Sequence, residues 1–338
     1  MKKKISINII TTHDEPYLRQ CLESVKDLDP EYIIGYTGDT SKEEYEICKE
    51  FADELDVFEW KDDFSYARNR LIKKSTSDWI LWIDSDETIE KESIQRINDL
   101  LNSNLKNLYH SFKLIHGSTS MGQLRMFFNT ENIKFEKKIH ERIIPDVYPK
   151  NHPEIQVIHH VQNITRSSLR NIHILENELK ENPNDLDNNF YIAIEYHLIG
   201  KHMKALLHAE KFLHHYLGDD INIRKLYMRY LISYIHVYHL QNYQKAMEIM
   251  LAQLILNCNI AEFWCLIGDI FTFIGKYKYA QRFYKNAISM GEYKYDNMWL
   301  VDLDKYDTYP KTMIQRCEIR KNIDIQKFNQ EINEPIIP

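Results

Sequence analysis

The sequence predicts a two-part protein: an α/β half on a mostly parallel sheet with helices on both faces, then an all-α half of repeated helical hairpins. Three observations carry this. Strand and helix signals alternate from Ile5 to about Trp82, the βαβ order of parallel sheets. Short strand signals then continue to Ile158 with few helix signals. From about Ser167 the pattern is helical and repeats itself.

Ile5 to Ile10 reads as the first strand. Pro16 suits a first helical turn, and Leu18, Cys21, Leu22 and Val25 form an apolar helical stripe. Glu31 to Tyr36 reads as the second strand. Ser41-Lys42-Glu43-Glu44 has the capping-box pattern and opens a helix to about Leu55. Val57 to Trp60 follows as a short strand, then a helix over Ser65 to Lys74. Trp79 to Ile83 is an apolar run bounded by polar residues, the mark of a strand buried on both faces. A helix near Glu92 to Leu101 follows. Tyr109–Ile115, Leu124–Phe128, Ile133–Phe135 and Ile155–Ile158 read as strands that extend the sheet.

In the helical half, Ala193, Tyr196, Gly200 and Ala205 match Gly268, Phe271, Gly275 and Ala280, with offsets of 3, 4 and 5 in both sets. Ala246 marks a middle unit, 41 residues after Ala205 and 34 before Ala280. A 34-residue period with small residues at the helix contact is tetratricopeptide-like. Stacked hairpins of this kind offer a concave surface to a peptide or another subunit. The plainer alternative is that they only brace the first half or form a homodimer. The expected division is 1–165, 166–330 and a loose tail over 331–338.

Composition narrows the function classes. The chain has 338 residues, 43% hydrophobic and 28% charged, with net charge −7. That balance is globular and argues against a broad nucleic-acid surface. Ile5 to Thr12 after Lys2-Lys3-Lys4 is too short and polar for a signal segment, and no run approaches a membrane span. The five cysteines are scattered and form no CxxC pair, which suits a reducing cytoplasm. Cys258 and Cys265, seven apart, fit one helix face.

Chemistry concentrates at Asp84-Ser85-Asp86-Glu87. Two acids one residue apart leave the carboxyl end of a buried strand, where open α/β sheets bind ligands. Such acids repel unless a cation joins them, and Mg²⁺ or Mn²⁺ commonly bridges carboxylates to phosphates. The bland alternative is an acidic turn capping the helix that begins near Lys91.

Trp60-Lys61-Asp62-Asp63-Phe64-Ser65-Tyr66-Ala67-Arg68-Asn69 with Asp78-Trp79-Ile80-Leu81-Trp82-Ile83-Asp84-Ser85-Asp86-Glu87 closely resembles the W-x-D-D-F-S-x-A-R-N and D-W-I-L-x-x-D-x-D-E core of family 2 glycosyltransferases of the GT-A fold. The resemblance covers roughly residues 4 to 165. With the helical repeats, it is similar to the sublancin S-glycosyltransferase group, which attaches sugars to Cys or Ser of bacteriocin peptides. It implies a UDP-sugar donor, a Mn²⁺ or Mg²⁺ ion and a peptide acceptor. Thr11, Thr12, Asp14 and Glu15 look like the first nucleotide-contacting loop. Asp86, with Asp84 and a downstream His159, is implied at the metal, and Asp84 also at the ribose. Arg68 is implied at the diphosphate or orienting an Asp, against a plain ion pair with Asp62 or Asp63. Arg125 is implied at phosphate or acceptor. Glu141 is implied as base with His140 beside it, against a loop-ordering role.

Two motifs depart from the family. Tyr36-Thr37-Gly38-Asp39-Thr40-Ser41 has Tyr36 where the family has the uracil-binding Asp, so Tyr36 stacking, Asp39 or backbone groups would read the base. His159-His160-Val161-Gln162 replaces H-x-G-Y. Other readings are a transferase acting on a polysaccharide or lipid-linked acceptor, and a repeat scaffold with a degenerate transferase half. A phosphatase is disfavoured because the D-x-D follows the fourth strand. A dehydrogenase is disfavoured because no G-x-G-x-x-G follows the first.

Overall fold

The computed structural model describes residues 4–103, 107–117, 119–160, 164–219, 222–256, 259–291 and 301–333. The chain divides into two compact units, one reaching Glu181 and one beginning at Asn182. Both parts of the predicted architecture are present. Among the described residues no helix is long and apolar enough to cross a membrane.

The first unit is a mixed sheet. Strands β1 (Ile5–Thr11), β2 (Glu31–Tyr36), β3 (Glu54–Val57) and β4 (Trp79–Trp82) are parallel, with β1 between β2 and β4. Next come β5 (Glu87–Ile89), β6 (Tyr109–His116), β7 (Thr119–Phe128), the short pair β8 (Phe135–Glu136) and β9 (Arg142–Ile143), and β10 (Lys150–His159). The path across the sheet is β3-β2-β1-β4-β7-β6-β10-β5. β7 is antiparallel to β4 and β6, β10 runs parallel to β6, and β5 is antiparallel to β10. The sheet is therefore parallel on its first side and mixed on the other.

Strand alternation sends side chains into two cores. Leu81 and Ile83 join α1 (Leu18–Ser24), α2 (Glu43–Phe51) and α4 (Lys91–Asn102) through Leu22, Cys48 and Ile97. Ile80 and Trp82 face the other way, toward Ile72 of α3 (Phe64–Lys74) and Phe135 and Ile143 of the β8–β9 pair. Helices thus cover both faces, as expected.

Several boundaries differ from expectation: the third strand, expected over Val57 to Trp60, is Glu54–Val57, and that expected over Ile133–Phe135 is Phe135–Glu136. The capping box at Ser41 does not form: Lys42 precedes α2 without a side-chain cap, and Glu44 instead accepts the Glu15 N–H. The helix also stops at Phe51, because the Asp53 carboxylate accepts the Tyr32 N–H at 2.8 Å and draws the chain into β3 by Glu54. Helix α5 (Ile164–Glu181), expected to open the helical half, groups with the first unit.

Among the described residues the second unit holds three helical pairs: α6 (Leu186–Leu198) with α7 (His202–His215), α8 (Ile223–Tyr238) with α9 (Tyr243–Leu256), and α10 (Ala261–Phe273) with α11 (Tyr277–Ser289). Helix α12 (Thr308–Asn333) follows, so Glu331 to Asn333 end a helix; 334–338 lie outside the described residues. The aligned Ala193, Ala205, Ala246 and Ala280 are fully buried. Gly200 and Gly275 turn each outer pair at φ +75° and +73°. Gln241 holds the same place in the middle pair at φ +52°, which explains why that repeat is faint: its turn lacks the glycine that marks the others. Cys21, Cys48, Cys265 and Cys317 are buried free thiols, and Cys258 lies outside the described residues.

At Gly268 a Cβ would stand 2.5 Å from the Tyr284 ring, which is fully buried. Gly268→Ala is expected to destabilise the second unit by about 1–3 kcal/mol, read as a lower denaturant midpoint; an unchanged midpoint would show that the helices separate freely.

In the first unit, burial and then the adjacent His152 hold His110 down to about 4. The unfolded chain binds this proton near pH 6.5 and the folded chain only near 4, so stability is lost as pH falls through that window. About 2 kcal/mol should disappear between pH 7 and pH 5. Urea titrations at the two pH values measure it, and His110→Phe should reduce the difference.

Candidate functional site

The carboxyl ends of β1, β2 and β4 deliver three loops to one edge of the sheet. Thr37 ties the first two, its N–H donating to the Thr11 carbonyl at 3.0 Å and its hydroxyl at 3.1 Å. Gly38 allows their close approach, since a Cβ there would lie 2.5 Å from the His13 nitrogen. The Asp39 N–H donates to His13 Nδ1 at 3.3 Å. Asp14 sits exposed at φ +61°, and the Glu15 N–H is held by Glu44. The expected residues of this region, Thr11, Thr12, Asp14, Glu15 and Asp39, therefore gather on adjoining loops. Thr11 itself is buried and acts there through its backbone.

Two expected donor contacts lack the placement they need. Tyr36 is fully buried, its ring 5.3 Å from Tyr45 and its hydroxyl donating to the Asp39 carbonyl. It props the loop from below and offers no face for stacking. Arg125 is 1% exposed and binds the Glu87 carboxylate through both terminal nitrogens at 2.7 and 2.6 Å. Its third short contact is to Gln123. A guanidinium so occupied is not open to phosphate or acceptor.

The centre of the site is Arg68. Asp63 caps α3 by accepting the Tyr66 N–H, which fixes the helix start. Arg68 then projects over Trp82, its guanidinium carbon 4.0 Å from the ring centroid. It donates to Asp84 Oδ1 at 2.7 Å and to Glu141 Oε1 at 2.5 Å. Neither Asp62 nor Asp63 is its partner: Asp62 accepts from the Trp60 indole and Asp63 is the cap. Asn69 clasps the Phe135 backbone with two hydrogen bonds, holding the β8–β9 segment that carries His140 and Glu141. His140 is half-buried there at φ +51°.

Asp84 and Glu87 lie in one turn yet titrate in opposite directions. For Asp84 desolvation raises the pKa, but Arg68 and then Arg125 outweigh it and hold the carboxyl below its ordinary value. For Glu87 burial, helped by Asp84, wins over Arg125 and raises it. Asp84 is 45% exposed and Glu87 only 2%. Asp84 is thus the ionised, accessible acid, and Glu87 the internal one that accepts the Asp84 N–H.

Asp86 and His159, both implied at the metal by the resemblance, are in side-chain contact. His159 Nε2 lies 3.1 Å from Asp86 Oδ2, and the His160 N–H donates to the Asp86 carbonyl. Burial lowers the His159 pKa, but the bond to Asp86 and the charges of Asp86, Glu87 and Asp84 raise it overall. Donors on adjacent corners of an octahedral ion stand about 3 Å apart, so the pair fits two cis positions of a divalent cation. Among the described residues no three His, Cys, Asp or Glu side chains already surround one point. The remaining positions would fall to water and phosphate oxygens, as is usual for such ions.

Sequence reasoning gave no role to Glu87, Trp82 or His116. His116 ends β6 as the register partner of His159, with ring centroids 4.7 Å apart. Burial and then His159 lower its pKa. A signal existed: Leu114-Ile115-His116 and Val157-Ile158-His159 are two strands closing on the same apolar-Ile-His ending.

Residues 6–159 match the model of glycosyl transferase family 2. The chain is 29% identical over 234 residues to the SPbeta prophage-derived glycosyltransferase SunS of Bacillus subtilis, covering 63% of this chain and 54% of SunS. It is 32% identical over 146 residues to a TPR repeat-containing protein of Synechococcus elongatus, covering 41% of this chain and 35% of that one. The chain therefore spans about half or less of these relatives. The crystal structure of S. aureus TarS 1–349 with UDP-GlcNAc aligns over 94% of this chain and 92% of that one, at 11% identity and a TM-score of 0.35.

Removing Arg68 would leave Glu141, 10% exposed, beside Asp84 with no cation between them. Arg68→Met should destabilise by about 3 kcal/mol. Adding Glu141→Gln should recover part of that loss, and a double-mutant cycle by chemical denaturation measures the coupling. Purely additive effects would show that the contact is not formed.

Proposed function

We propose that this chain, whose residues 6–159 match the model of glycosyl transferase family 2, moves a hexose from a UDP-sugar to a Ser or Cys side chain of a peptide, with inversion and with Mn²⁺ or Mg²⁺ at the diphosphate. The observation that carries the reading is the single contact of Arg68, Asp84 and Glu141 beside the Asp86–His159 pair. It lies at the sheet edge where α/β folds bind ligands.

The roles follow from the chemistry. The Thr11–Glu15 and Gly38–Ser41 loops flank the nucleotide. Asp84, kept ionised, accepts from a ribose hydroxyl. Asp86 and His159 would hold the cation, which when bound would offset charge on the departing diphosphate. Glu141, fixed by Arg68, takes the proton of an acceptor hydroxyl as its oxygen attacks the anomeric carbon. A thiol acceptor leans on that base less, because a few per cent is already thiolate at neutral pH. His140 lines the acceptor side. The helical hairpins of the second unit support a peptide acceptor, since stacked repeats present a continuous surface to an extended segment.

Purified protein is expected to release UDP from one of UDP-glucose, UDP-N-acetylglucosamine or UDP-galactose with Mn²⁺ and not with EDTA. Asp86→Ala should lower that release about a hundredfold or more with an unchanged circular dichroism spectrum. An active, metal-independent Asp86→Ala protein would remove the cation from the mechanism.

A further inference from the structure

Glu141 closes a loop whose backbone is held in an unfavourable shape. Glu136 pairs with Arg142, so residues 137–141 form the connection between β8 and β9. Two of them, Lys137 at φ +78° and His140 at φ +51°, are left-handed without being glycine. Lysine is poorly suited to that region, because it has no short polar side chain to bond back to the local backbone. Such a conformation persists only where its surroundings over-determine it.

The first turn of α3 supplies that hold. Phe64 opens the helix, where a backbone N–H finds no partner within the helix itself. It donates instead to the Lys138 carbonyl at 2.8 Å. Ser65, 7% exposed, donates its hydroxyl to the Lys137 carbonyl at 2.5 Å. Two successive loop carbonyls are thereby taken by two successive helix residues, at the left-handed bend. The Ile139 side chain is buried just beyond it. Three residues after Ser65, on the same side of the helix, Arg68 binds the Glu141 carboxylate through Nε. Ser65 and Arg68 thus grip the loop at its first and last residues, one through the backbone and one through the acid.

We propose that Ser65 is a positioning residue for Glu141: its hydroxyl holds Lys137 in the left-handed bend, and that bend sets where the Glu141 carboxylate stands. The inference rests on the reading of Glu141 as the base. The Arg68 Nε contact fixes one carboxylate oxygen; the backbone that carries it is fixed by Ser65. Displacing a reacting group by on the order of 1 Å can cost about a hundredfold in rate, so a hydroxyl outside the site has leverage on the proton transfer.

The test is UDP release by the full chain with Mn²⁺, from UDP-glucose, UDP-N-acetylglucosamine and UDP-galactose in turn, with water as the acceptor. Wild type, Ser65→Ala, Ser65→Cys, the double variant Ser65→Ala with Lys137→Gly, and Glu141→Gln are compared. Ser65→Ala is expected to lower kcat about tenfold or more, with the donor KM changed by less than about twofold, because other loops flank the nucleotide. Ser65→Cys, a weaker donor of similar shape, should fall between it and wild type. Lys137→Gly added to Ser65→Ala should restore most of the lost kcat, since glycine takes a positive φ without the clamp. Wild-type kcat in both single Ser65 variants, while Glu141→Gln loses activity, would overturn the positioning role and leave the base standing. A Ser65→Ala loss that Lys137→Gly does not recover would overturn the bend as its route. UDP release by Glu141→Gln at the wild-type rate would remove the base and this inference with it. Circular dichroism at the assay temperature checks that each variant is folded, and Ser65→Cys carries the comparison should Ser65→Ala fail to fold.

Discussion

The first unit depends on one buried cation. Arg68 is withdrawn from water between Asp84 and Glu141, which arrive from segments far apart in the chain. Burying a guanidinium is unfavourable unless its donors are taken up, and here Glu141 takes the Nε–H and Asp84 a terminal N–H. Trp82 supplies a flat apolar bed beneath it. The neighbouring positions on α3 reach other parts of the fold. Asn69 grips the backbone at Phe135, and Arg70 binds both oxygens of Asp56 on β3. Successive helix residues diverge by about 100°, so three consecutive side chains bind the loop hairpin, the acid turn and the far strand to one helix.

The same cation decides which acids face a ligand. Within Asp84 to Glu87, backbone contacts close a tight turn, with the Glu87 N–H donating to the Asp84 carbonyl and the Cys21 thiol donating to it as well. Asp84 and Asp86 point outward from that turn toward Arg68 and His159, and Glu87 points inward to Arg125. An outward acid beside a cation stays ionised. An inward acid surrounded by protein is pushed toward its neutral form, and only the paired Arg125 keeps it from isolation. Two arginines, each 4.0 Å from the Trp82 centroid, thereby serve different ends.

Much of this was legible in the sequence because it is local. β2 and α3 fall where their patterns put them, and the D-x-D turn leaves a strand buried on both faces. The resemblance offered Arg68 an unnamed Asp as one possible partner and set Asp86 and His159 near a common ion; the contacts of Arg68 with Asp84 and of Asp86 with His159 are given by the structure. What was not legible depends on distant partners. Arg125 looks like a ligand-binding arginine until Glu87, 38 residues away, closes on it. Tyr36 looks like a base platform until the loop folds over its hydroxyl. The strands β5, β8 and β9 span three, two and two residues, too short for any period to register. In the helical unit the reverse holds: a single left-handed Gln241 hid a repeat whose packing is intact.

One contact in that unit bears on how the repeats come apart. Asp269 on α10 accepts hydroxyls from Tyr238 on α8, Tyr284 on α11 and Tyr309 on α12. Burial and this carboxylate keep all three phenols well above their ordinary range, so they remain donors at any physiological pH. Stacked repeats usually peel from an end, one hairpin at a time, because each touches only its neighbours. A carboxylate shared by four helices breaks that rule. Freeing α12 strips Asp269 of a donor while it is still enclosed, so the last hairpin and its preceding helix are penalised together. The array behaves at this end as a clasped book rather than a row of loose pages: its final leaves open jointly or stay shut.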